Sequence, residues 1–372
     1  MINSLLPPGF KDEISDLAGI EHKYKNTIIN LFQINSYKLV KSPLIEFSNN
    51  FNSSNALKIK VKKNNQKMIL RDDITMQIAR IATGRLQKKV RPLKLCYYGE
   101  VVRDKGSIIR PERQFLQIGA ECIGESSYLA DVEIIELALS SLESVGIKNI
   151  SIELSSRLFL DKLYKNIKNQ LNLKKIKLLI RKKDINNSLK LIDKKYHEYL
   201  KNIFLCIGNF KDKKQYLENL KIDSSHILEI DKLNNIYKKL VLKFPKNNFF
   251  LDLTEFDDKN YHKSTRFTFF SKNIRGEIAR GGRYIARNGN IAEEATGFTC
   301  YMDTILRASS YKEKIKKILV SYKISKAKKM ELLKKDYIVE TYFGDLDNIK
   351  KIALKKNIKY YLKGDRIYNS VK

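Results

Sequence analysis

The 372-residue sequence predicts an α+β fold, an antiparallel sheet flanked by helices. Strands with alternating polar and apolar residues dominate residues 93–124 and 249–301. Residues 155–245, between them, are lysine-rich, poor in glycine and proline, and helical in their apolar spacing, which predicts a mostly helical insertion. Residues 311–372 alternate strand and helix patterns, which predicts a small α/β C-terminal domain after a core domain of residues 1–310.

The composition indicates a globular chain with a strongly basic surface. Hydrophobic residues make up 43%, enough for an ordinary core, and the net charge is +31. The lysines are spread along the whole chain together with asparagine and isoleucine, and there is no tryptophan. A nucleic-acid groove more typically clusters arginines and aromatic residues, so we interpret the charge as solvated surface.

No metal site, cofactor or membrane segment is predicted. The four cysteines and four histidines are scattered, without the spacing of a zinc site or a disulfide framework. The N-terminus lacks the basic and apolar regions of a secretory signal. Since no apolar run is long enough to span a bilayer, we expect a cytoplasmic protein.

The first elements follow from apolar spacing and from proline. Residues 13–34 predict an amphipathic helix after a Pro-Pro-Gly start. Residues 37–47 predict an edge or interface strand, because Pro43 at its centre cannot donate a hydrogen bond. Residues 58–71 predict a hairpin that turns at an Asn-Asn pair, and residues 72–86 predict a short helix.

Two strands and a helix come next. LKLCYYGEVV and RQFLQIGAECIG are strand-like, and the second alternates Phe115, Gln117 and Gly119 with an apolar series, which suits a sheet with one polar, ligand-facing side. Residues 126–146 predict a helix with serine caps that ends at Gly146.

Strands return after the helical region. FFLDLTEF, TRFTFFS and EIARGGRYIA are strand-like, and ATGFTCYMDTILRAS predicts a strand that runs into a helix. Within them, the GGRY stretch predicts a tight turn with close backbone packing rather than a phosphate-binding loop. The tail has a β-α-β-α-β pattern.

Several stretches in this order resemble the core of class II aminoacyl-tRNA synthetases. Within that class they resemble histidyl-tRNA synthetase and its paralogue, the regulatory subunits of ATP phosphoribosyltransferase, the first enzyme of histidine biosynthesis. The stretches are LPPGFKD, SYKLVKSPLIEF, LRDDITMQIAR, YYGEVVR with RQFLQIGAECIG, NYHKSTRFTFF, RGGRYIA and ATGFTCYMDTILR. The resemblance covers about residues 5–310 and implies the class II sheet.

The resemblance also implies where adenylation chemistry would lie. Adenylation requires cations, because the α-phosphate of ATP gains negative charge in the transition state. Arg103 matches the arginine of the second class II motif, but the other matching positions depart from the family. They are Lys105 for an acid, Pro111 for a loop arginine with Arg110 beside it, and Asp257 and Thr304 for two further arginines. If each lost cation were worth about 2.7–4 kcal/mol, two losses would slow the reaction about 10⁴ to 10⁶-fold. We therefore expect no catalytic residues.

In the implied site, the residues that would bind the amino acid match the family pattern better than those that would bind the nucleotide. Asp73, Thr75, Gln117 and Glu121 match positions that contact the α-amino group and imidazole of histidine, and Tyr261 and His262 replace a tyrosine pair. Acid and amide acceptors suit an ammonium group, and a carboxylate can accept from an imidazole N–H. The candidate effector-binding residues are Asp73, Thr75, Arg103, Gln117, Glu121, Tyr261 and His262. Two interpretations stay open, a retained histidine pocket and a satisfied polar core.

The function that the resemblance implies is a non-catalytic regulatory subunit. It would activate a short catalytic ATP phosphoribosyltransferase subunit and mediate feedback inhibition by histidine. Its partners would be that subunit, a second copy of this chain in a class II-type dimer within a hetero-octamer, and histidine as effector, with no membrane and no nucleic acid. Alternatives are a minimal active histidyl-tRNA synthetase, which the short tail of residues 311–372 disfavours, and a basic nucleic-acid-binding module. Whether histidine binds the synthetase-like pocket or a subunit interface stays open.

Overall fold

The structure is a computed structural model that describes residues 5–48, 55–60, 67–167, 169–255, 262–272, 274–309 and 316–371. For Ser15, His262 and Lys263 it describes the backbone alone. The chain forms two compact units, Met1–Ser310 and Tyr311–Lys372.

The first unit contains the large sheet and most of the helices. Its helices are α1 Ser15–Ile34, α2 Thr75–Thr83, α3 Tyr128–Ser144, α4 Leu158–Lys165, α5 Gln170–Arg181, α6 Ile185–Leu189, α7 His197–Leu205, α8 Phe210–Glu218, α9 Ser224–Lys243 and α10 Met302–Ala308. Its strands are β1 Lys38–Leu39, β2 Ile45–Phe47, β3 Lys58–Lys60, β4 Lys67–Leu70, β5 Leu93–Val102, β6 Gln114–Ile123, β7 Ser151–Ser156, β8 Gly208–Asn209, β9 Asn248–Leu251, β10 His262–Phe270, β11 Ala279–Asn288 and β12 Ile291–Tyr301.

The described strands form a sheet in the order β1-β5-β6-β12-β11-β10-β7-β9-β8. Every pairing from β5 to β7 is antiparallel, so the predicted antiparallel sheet flanked by helices is confirmed at its centre. Towards the edges the sheet becomes mixed, because β1 runs parallel to β5 and β9 runs parallel to β7.

The two faces of this sheet are covered differently. On one face, α1, α3 and the helices between β7 and β9 pack on apolar residues that include Ile118 and Ala120 of β6. On the other face, α2 packs on Tyr97 of β5 and Phe115 of β6 through Ile74 and its neighbours. The odd-numbered residues of β6 therefore face α2, as the alternation in the sequence predicts.

The segment around Pro43 differs from the single strand that the sequence predicts. β1 belongs to the large sheet, whereas β2 joins a separate three-stranded sheet in the order β2-β4-β3. A proline has no N–H to donate, so the ladder breaks between Leu39 and Ile45. The hairpin of β3 and β4 is antiparallel as predicted, and its Asn-Asn turn lies outside the described residues.

The GGRY stretch is not a turn, and that prediction is wrong. Gly281 to Tyr284 lie within β11, paired on one side with β12 and on the other with β10. The expected close packing is present, since a Cβ on Gly281 would lie 2.2 Å from the carbonyl oxygen of Gly297. Glycine at position 281 is needed for this approach of neighbouring strands and not for a reversal of the chain.

The second unit is a small α/β sheet with its own core. It consists of β13 Lys316–Ser321, α11 Lys326–Lys334, β14 Tyr337–Tyr342, α12 Ile349–Lys355, β15 Tyr360–Lys363 and β16 Arg366–Asn369. β13 runs parallel to both β14 and β15, and β16 adds an antiparallel strand to the predicted pattern. In neither unit does a described helix combine the length and apolar character needed to cross a membrane.

Candidate effector-binding site

Two polar side chains on β6 lie buried beneath α2. Gln117 and Glu121 are 0% and 1% exposed, and both point to the α2 side of the sheet. Gly119 lies between them, and a Cβ there would be 2.4 Å from the hydroxyl oxygen of Tyr97. The missing side chain at Gly119 therefore makes room for the tyrosine that joins the two halves of the site.

The Tyr97 hydroxyl is the centre of the polar network. It hydrogen-bonds with Thr299 Oγ1 at 2.7 Å and with Thr75 Oγ1 at 3.0 Å, and it lies 3.3 Å from Glu121 Oε1. Burial, together with the nearby carboxylates of Glu121 and Asp73, holds the pKa of Tyr97 well above its usual range. Tyr97 is therefore a neutral hydroxyl that orients three neighbours.

Glu121 is a buried carboxyl that is held from two sides. Tyr284 donates its hydroxyl hydrogen to Oε2 at 2.9 Å, opposite the contact with Tyr97. The pKa of Glu121 is raised to about 8, because burial and the charge of Asp73 outweigh the lowering effect of the hydrogen bonds from Tyr284, Thr75 and Tyr97. At neutral pH this carboxyl is mostly protonated, so a bound group that donates to it as a carboxylate would release a proton.

Asp73 and Gln117 complete the network at the start of α2. Asp73 Oδ1 accepts from the Thr75 N–H at 2.9 Å, and Oδ2 accepts from Gln117 Nε2 at 3.4 Å. Gln117 Oε1 in turn accepts from the Ile74 N–H at 3.3 Å. Through Tyr97, the structure brings together Asp73, Thr75, Gln117 and Glu121 of the predicted pocket.

The other predicted pocket residues are placed less directly. The Arg103 guanidinium lies 4.8 Å from the ring centre of Phe115, two residues before Gln117 on the same face of β6. The backbone of His262 pairs with Tyr284 across β10 and β11. Tyr261 lies outside the described residues. Arg103 therefore lies towards one end of the polar face, and the chain enters β10 beside the tyrosine that holds Glu121.

Arg110 is bound within the protein and does not stand as a free cation. It is 5% exposed, donates from Nε to Asp303 Oδ2 at 3.1 Å, and donates from Nη2 to the Glu277 carbonyl at 3.0 Å. Its guanidinium also stacks on Tyr301, 4.0 Å from the ring centre. The Thr304 hydroxyl donates to the same Glu277 carbonyl at 2.9 Å. Asp257 lies outside the described residues.

The arginine of GGRY joins the opposite face of the sheet to the helices. Arg283 donates to Asp131 Oδ2 of α3 from Nε at 3.1 Å and from Nη2 at 2.9 Å, and to the Glu125 and Ser127 carbonyls at 2.8 Å each. Lys232 of α9 also lies 3.3 Å from Asp131. Because neighbouring residues of a strand point to opposite faces, Arg283 anchors the strand from which Tyr284 reaches Glu121.

The sequence did not identify Tyr97, Thr299 or Tyr284 as site residues. The sequence could have indicated Tyr97. It lies in the strand that precedes and pairs with the polar strand β6, and it faces the side of the sheet opposite to Tyr98. The described part of the chain contains no cluster of three His, Cys, Asp or Glu side chains able to hold a metal ion.

Replacing Glu121 with glutamine should change the pH dependence of stability. Between the ordinary value of 4.5 and about 8, the folded chain keeps a proton that the unfolded chain has released. The free energy of unfolding then falls as pH rises through this window, by at most about 1.4 kcal/mol per pH unit from this group. Urea unfolding between about pH 5 and pH 8 should give a shallower slope for Glu121→Gln than for the parent chain.

Asp184→Asn is the control for this titration. Hydrogen bonds with Asn187 lower the pKa of Asp184 below 3.8, so it is ionised in both states throughout the window. Its replacement should move the curve without changing the slope. Equal slopes for the parent chain and Glu121→Gln would show that the buried carboxyl keeps an ordinary pKa.

The sheet and its polar face define a protein of the class II aminoacyl-tRNA synthetase-like class. Superposition on a solved ATP phosphoribosyltransferase regulatory subunit/histidyl-tRNA synthetase from Bacillus halodurans C gives a TM-score of 0.78 at 17% identity, covering 97% of each chain. The family model described as Histidyl-tRNA synthetase matches residues 9–305.

Two relatives named ATP phosphoribosyltransferase regulatory subunit narrow the family assignment of this chain further. The one from Rhodospirillum centenum is 33% identical over 318 residues, 82% of this chain and 80% of that protein. The one from Clostridium botulinum strain Langeland is 29% identical over 97% of this chain and 92% of that protein. This chain therefore belongs to the histidyl-tRNA synthetase family, among the ATP phosphoribosyltransferase regulatory subunits, and the predicted resemblance is confirmed.

Proposed function

We propose that this chain is a non-catalytic regulatory subunit of ATP phosphoribosyltransferase in the cytoplasm. It activates a short catalytic subunit and mediates feedback inhibition by histidine in histidine biosynthesis. The assembly is a hetero-octamer in which this chain pairs with a second copy of itself. Feedback then requires that histidine bind two states of the assembly with different affinities, because a ligand with equal affinity for both shifts neither.

This proposal rests on a difference between the two halves of the site. The half that would bind histidine keeps the residues of the synthetase pattern, whereas the half that would bind the nucleotide does not. The groups suited to histidine, Asp73, Gln117 and Glu121, lie in one buried network. On the nucleotide side, Arg110 is held by Asp303 and by Glu277. An arginine in two internal ion pairs is a poor substitute for a cation that must meet a phosphate, which supports a binding role over adenylation.

Apolar residues exposed around β1 and β2 support pairing with a second copy. Leu39, Leu44, Ile45 and Phe47 are each more than 40% exposed and lie within residues 39–47. Because exposed apolar side chains in one short segment are characteristic of interaction sites, we place the self-dimer at this proline-containing segment.

The test is reconstitution with the short catalytic subunit of the same organism. We expect the two chains to co-elute in size exclusion, ATP phosphoribosyltransferase activity to appear only in the mixture, and histidine to reduce it. Separate elution and an activity that is independent of this chain would contradict the regulatory role. Pyrophosphate exchange by the isolated chain with ATP and histidine would instead indicate a synthetase.

Variants of the pocket decide where histidine acts. Asp73→Ala and Glu121→Ala should keep activation but weaken inhibition by histidine, since both remove acceptors from the proposed pocket. Glu198→Ala, an exposed acid on α7, is the control and should behave as the parent chain. Full inhibition in both pocket variants would place the effector at a subunit interface.

A further inference from the structure

Lys183, which follows α5, has a backbone conformation that is unusual for a lysine. Its φ of 59° lies in the left-handed region that favours glycine. Its N–H donates to the Ile180 carbonyl at 2.9 Å, and the Asp184 N–H donates to the Leu179 carbonyl at 2.9 Å. These bonds define the kind of helix end at which glycine is the commonest residue. A lysine there indicates a role for its side chain, because glycine would fit the backbone with less strain.

The side chain of Lys183 reaches the chain just after β9. Its ammonium group donates to Asp252 Oδ2 at 2.5 Å and to the Thr254 hydroxyl, and it lies 3.5 Å from Glu255 Oε1. The Lys183 side chain is half-exposed, whereas that of Asp252 is 8% exposed and Thr254 is buried. Because an ion pair with a buried carboxylate is screened less than a surface pair, this contact can hold two segments together.

The residues that Lys183 binds are fixed to the sheet. The Asp252 N–H donates to the Leu154 carbonyl of β7 at 3.0 Å. The Ser155 hydroxyl donates to the Glu255 carbonyl at 3.3 Å. The ion pair therefore joins the end of α5 to the large sheet, at a residue 69 positions further along the chain.

The two helices on either side of this lysine have few apolar anchors. α5 buries only Ile176 and Ile180, and α6 buries only Ser188. Two further side chains pack on the core while partly buried, namely Leu173 and Leu189. Elements with so few buried apolar contacts open at low free energy, so the ion pair is expected to contribute much of their attachment.

The acids beside Lys183 repel one another. The pKa of Glu153 on β7 is raised to about 7, because burial and the charges of Asp252 and Glu255 outweigh the lowering effects of Lys183 and Arg266. Loss of the lysine charge would therefore increase the repulsion among three acids at the end of β9.

Asp252 lies on the same face of the sheet as the polar network around Tyr97. Its neighbours Leu251 and Leu253 belong to the core on the other face, so its own side chain points to the α2 side. A row of paired residues begins beside Asp252 and crosses that face, namely Ser155, Arg266, Gly282, Gly297 and Glu121. The ion pair and the candidate effector site therefore lie on one face of the sheet.

We propose that Lys183 is a positioning residue that clamps α5 and α6 to the chain after β9. The clamp also fixes residues 252–255, from which the chain continues to β10, whose first residue pairs with Tyr284. Breaking the clamp releases α5 and α6 locally and weakens histidine binding on the same face of the sheet. The effect on histidine rests on the proposed function, whereas the local release does not.

The first experiment measures hydrogen exchange of the α5 and α6 amides in the full chain. Lys183→Gly removes the clamp but suits the left-handed backbone, so it improves the end of α5 itself. We expect exchange to quicken at least tenfold in Lys183→Gly and to stay within threefold of the parent chain in Lys183→Arg, which keeps the charge. Unchanged or slower exchange in Lys183→Gly would overturn the proposal, because relief of the backbone would then be its whole effect.

Asn357→Gly is the matched control. Asn357 follows α12 with a φ of 56°, and its N–H donates to the Leu354 carbonyl at 3.0 Å, as at the end of α5. Its side chain is exposed, so Asn357→Gly should not quicken exchange of α12. Equally quickened exchange in both glycine variants would assign the effect to glycine itself and refute the clamp.

A double-mutant cycle identifies the partner of the lysine. Lys183→Met and Asp252→Asn should each quicken exchange of α5 and α6, and the double variant should exchange no faster than Lys183→Met alone. Asparagine keeps the oxygen that accepts from the Thr254 N–H, so the turn after β9 is retained. Multiplicative effects of the two substitutions would show that the two side chains do not act together.

Histidine binding, measured by calorimetry, tests the positioning role. Affinity should be at least threefold weaker in Lys183→Gly than in the parent chain, and unchanged in Lys183→Arg and Asn357→Gly. Equal affinities in all four chains would refute the positioning role. If the parent chain binds no histidine, the proposed pocket and this effect fail together, whereas the exchange rates still decide whether the clamp exists.

Discussion

Replacing Gly297 with alanine is expected to abolish the polar network around Glu121. The new Cβ would lie 1.8 Å from Glu121 Oε2 and 2.7 Å from the Ala120 carbonyl oxygen, so the carboxyl must leave its place between the two tyrosines. Forced overpacking of this kind costs about 1–3 kcal/mol of stability. Histidine affinity should fall by more than tenfold, as measured by calorimetry beside urea unfolding.

The matched control is the same substitution where there is space. Gly19 lies within α1, and no heavy atom lies within 4 Å of the position that its Cβ would occupy. Gly19→Ala should therefore stabilise the chain by about 0.5–1 kcal/mol, since alanine loses less entropy in a helix. If Gly297→Ala behaved like Gly19→Ala, the carboxyl of Glu121 could not lie against β12 as described.

Removing the charge of Arg283 is expected to give the largest loss of stability. Arg283→Met removes two donors from the Asp131 carboxylate, which is 0% exposed and keeps only Lys232 as a neighbouring cation among the described residues. It also removes the Arg283 donors from the Glu125 and Ser127 carbonyls. Breaking a buried ion pair by removing one member costs about 3–5 kcal/mol. Urea unfolding monitored by circular dichroism would measure the loss.

Arg287 provides the comparison on the same strand. It is exposed, so Arg287→Met should change stability by no more than about 0.5 kcal/mol. Adding Asp131→Asn to Arg283→Met should restore part of the loss, because an amide is less costly to bury unpaired than a carboxylate. Equal stabilities for the two arginine variants would mean that the buried pair is not formed in solution.

The sequence predicted the central elements well because their signals are local. The alternation in RQFLQIGAECIG requires no knowledge of partners, and β6 and β5 are found almost at the predicted bounds. The helix after β4 is shorter than predicted, since its first turn begins only after Asp73 accepts the Thr75 N–H. Such boundaries depend on individual hydrogen bonds at the helix ends, which are weakly encoded in apolar spacing.

The contacts that define the site could not be predicted, because they join distant parts of the chain. Tyr284 reaches Glu121 across 163 positions, through a sheet order in which β11 and β6 are separated by β12. The two glycines of GGRY are a strong local turn signal, but here Gly281 is required by the close approach of the neighbouring strand β12. Local pattern and tertiary packing compete at such positions, and packing decided the outcome.

The ion pairs of Arg110 could not be predicted from the sequence either. The sequence shows a cation in the right loop, and the family pattern suggests that it could replace a neighbouring arginine. Its engagement depends on Asp303 and Glu277, which lie 193 and 167 positions away. Residue type alone cannot distinguish a cation that meets a ligand from one whose charge is already neutralised.

The four buried thiols can be used to detect local and global unfolding of the chain. Cys96, Cys122 and Cys300 lie in neighbouring strands of the sheet, and Cys206 follows α7 in the helical region. Burial raises the pKa of Cys206 to about 12, so in the closed chain it is neither ionised nor reachable by an alkylating reagent. The rate at which Cys206 alone is alkylated would therefore measure local unfolding of the helical region while the sheet stays intact. The rate at which all four thiols react together would measure global unfolding.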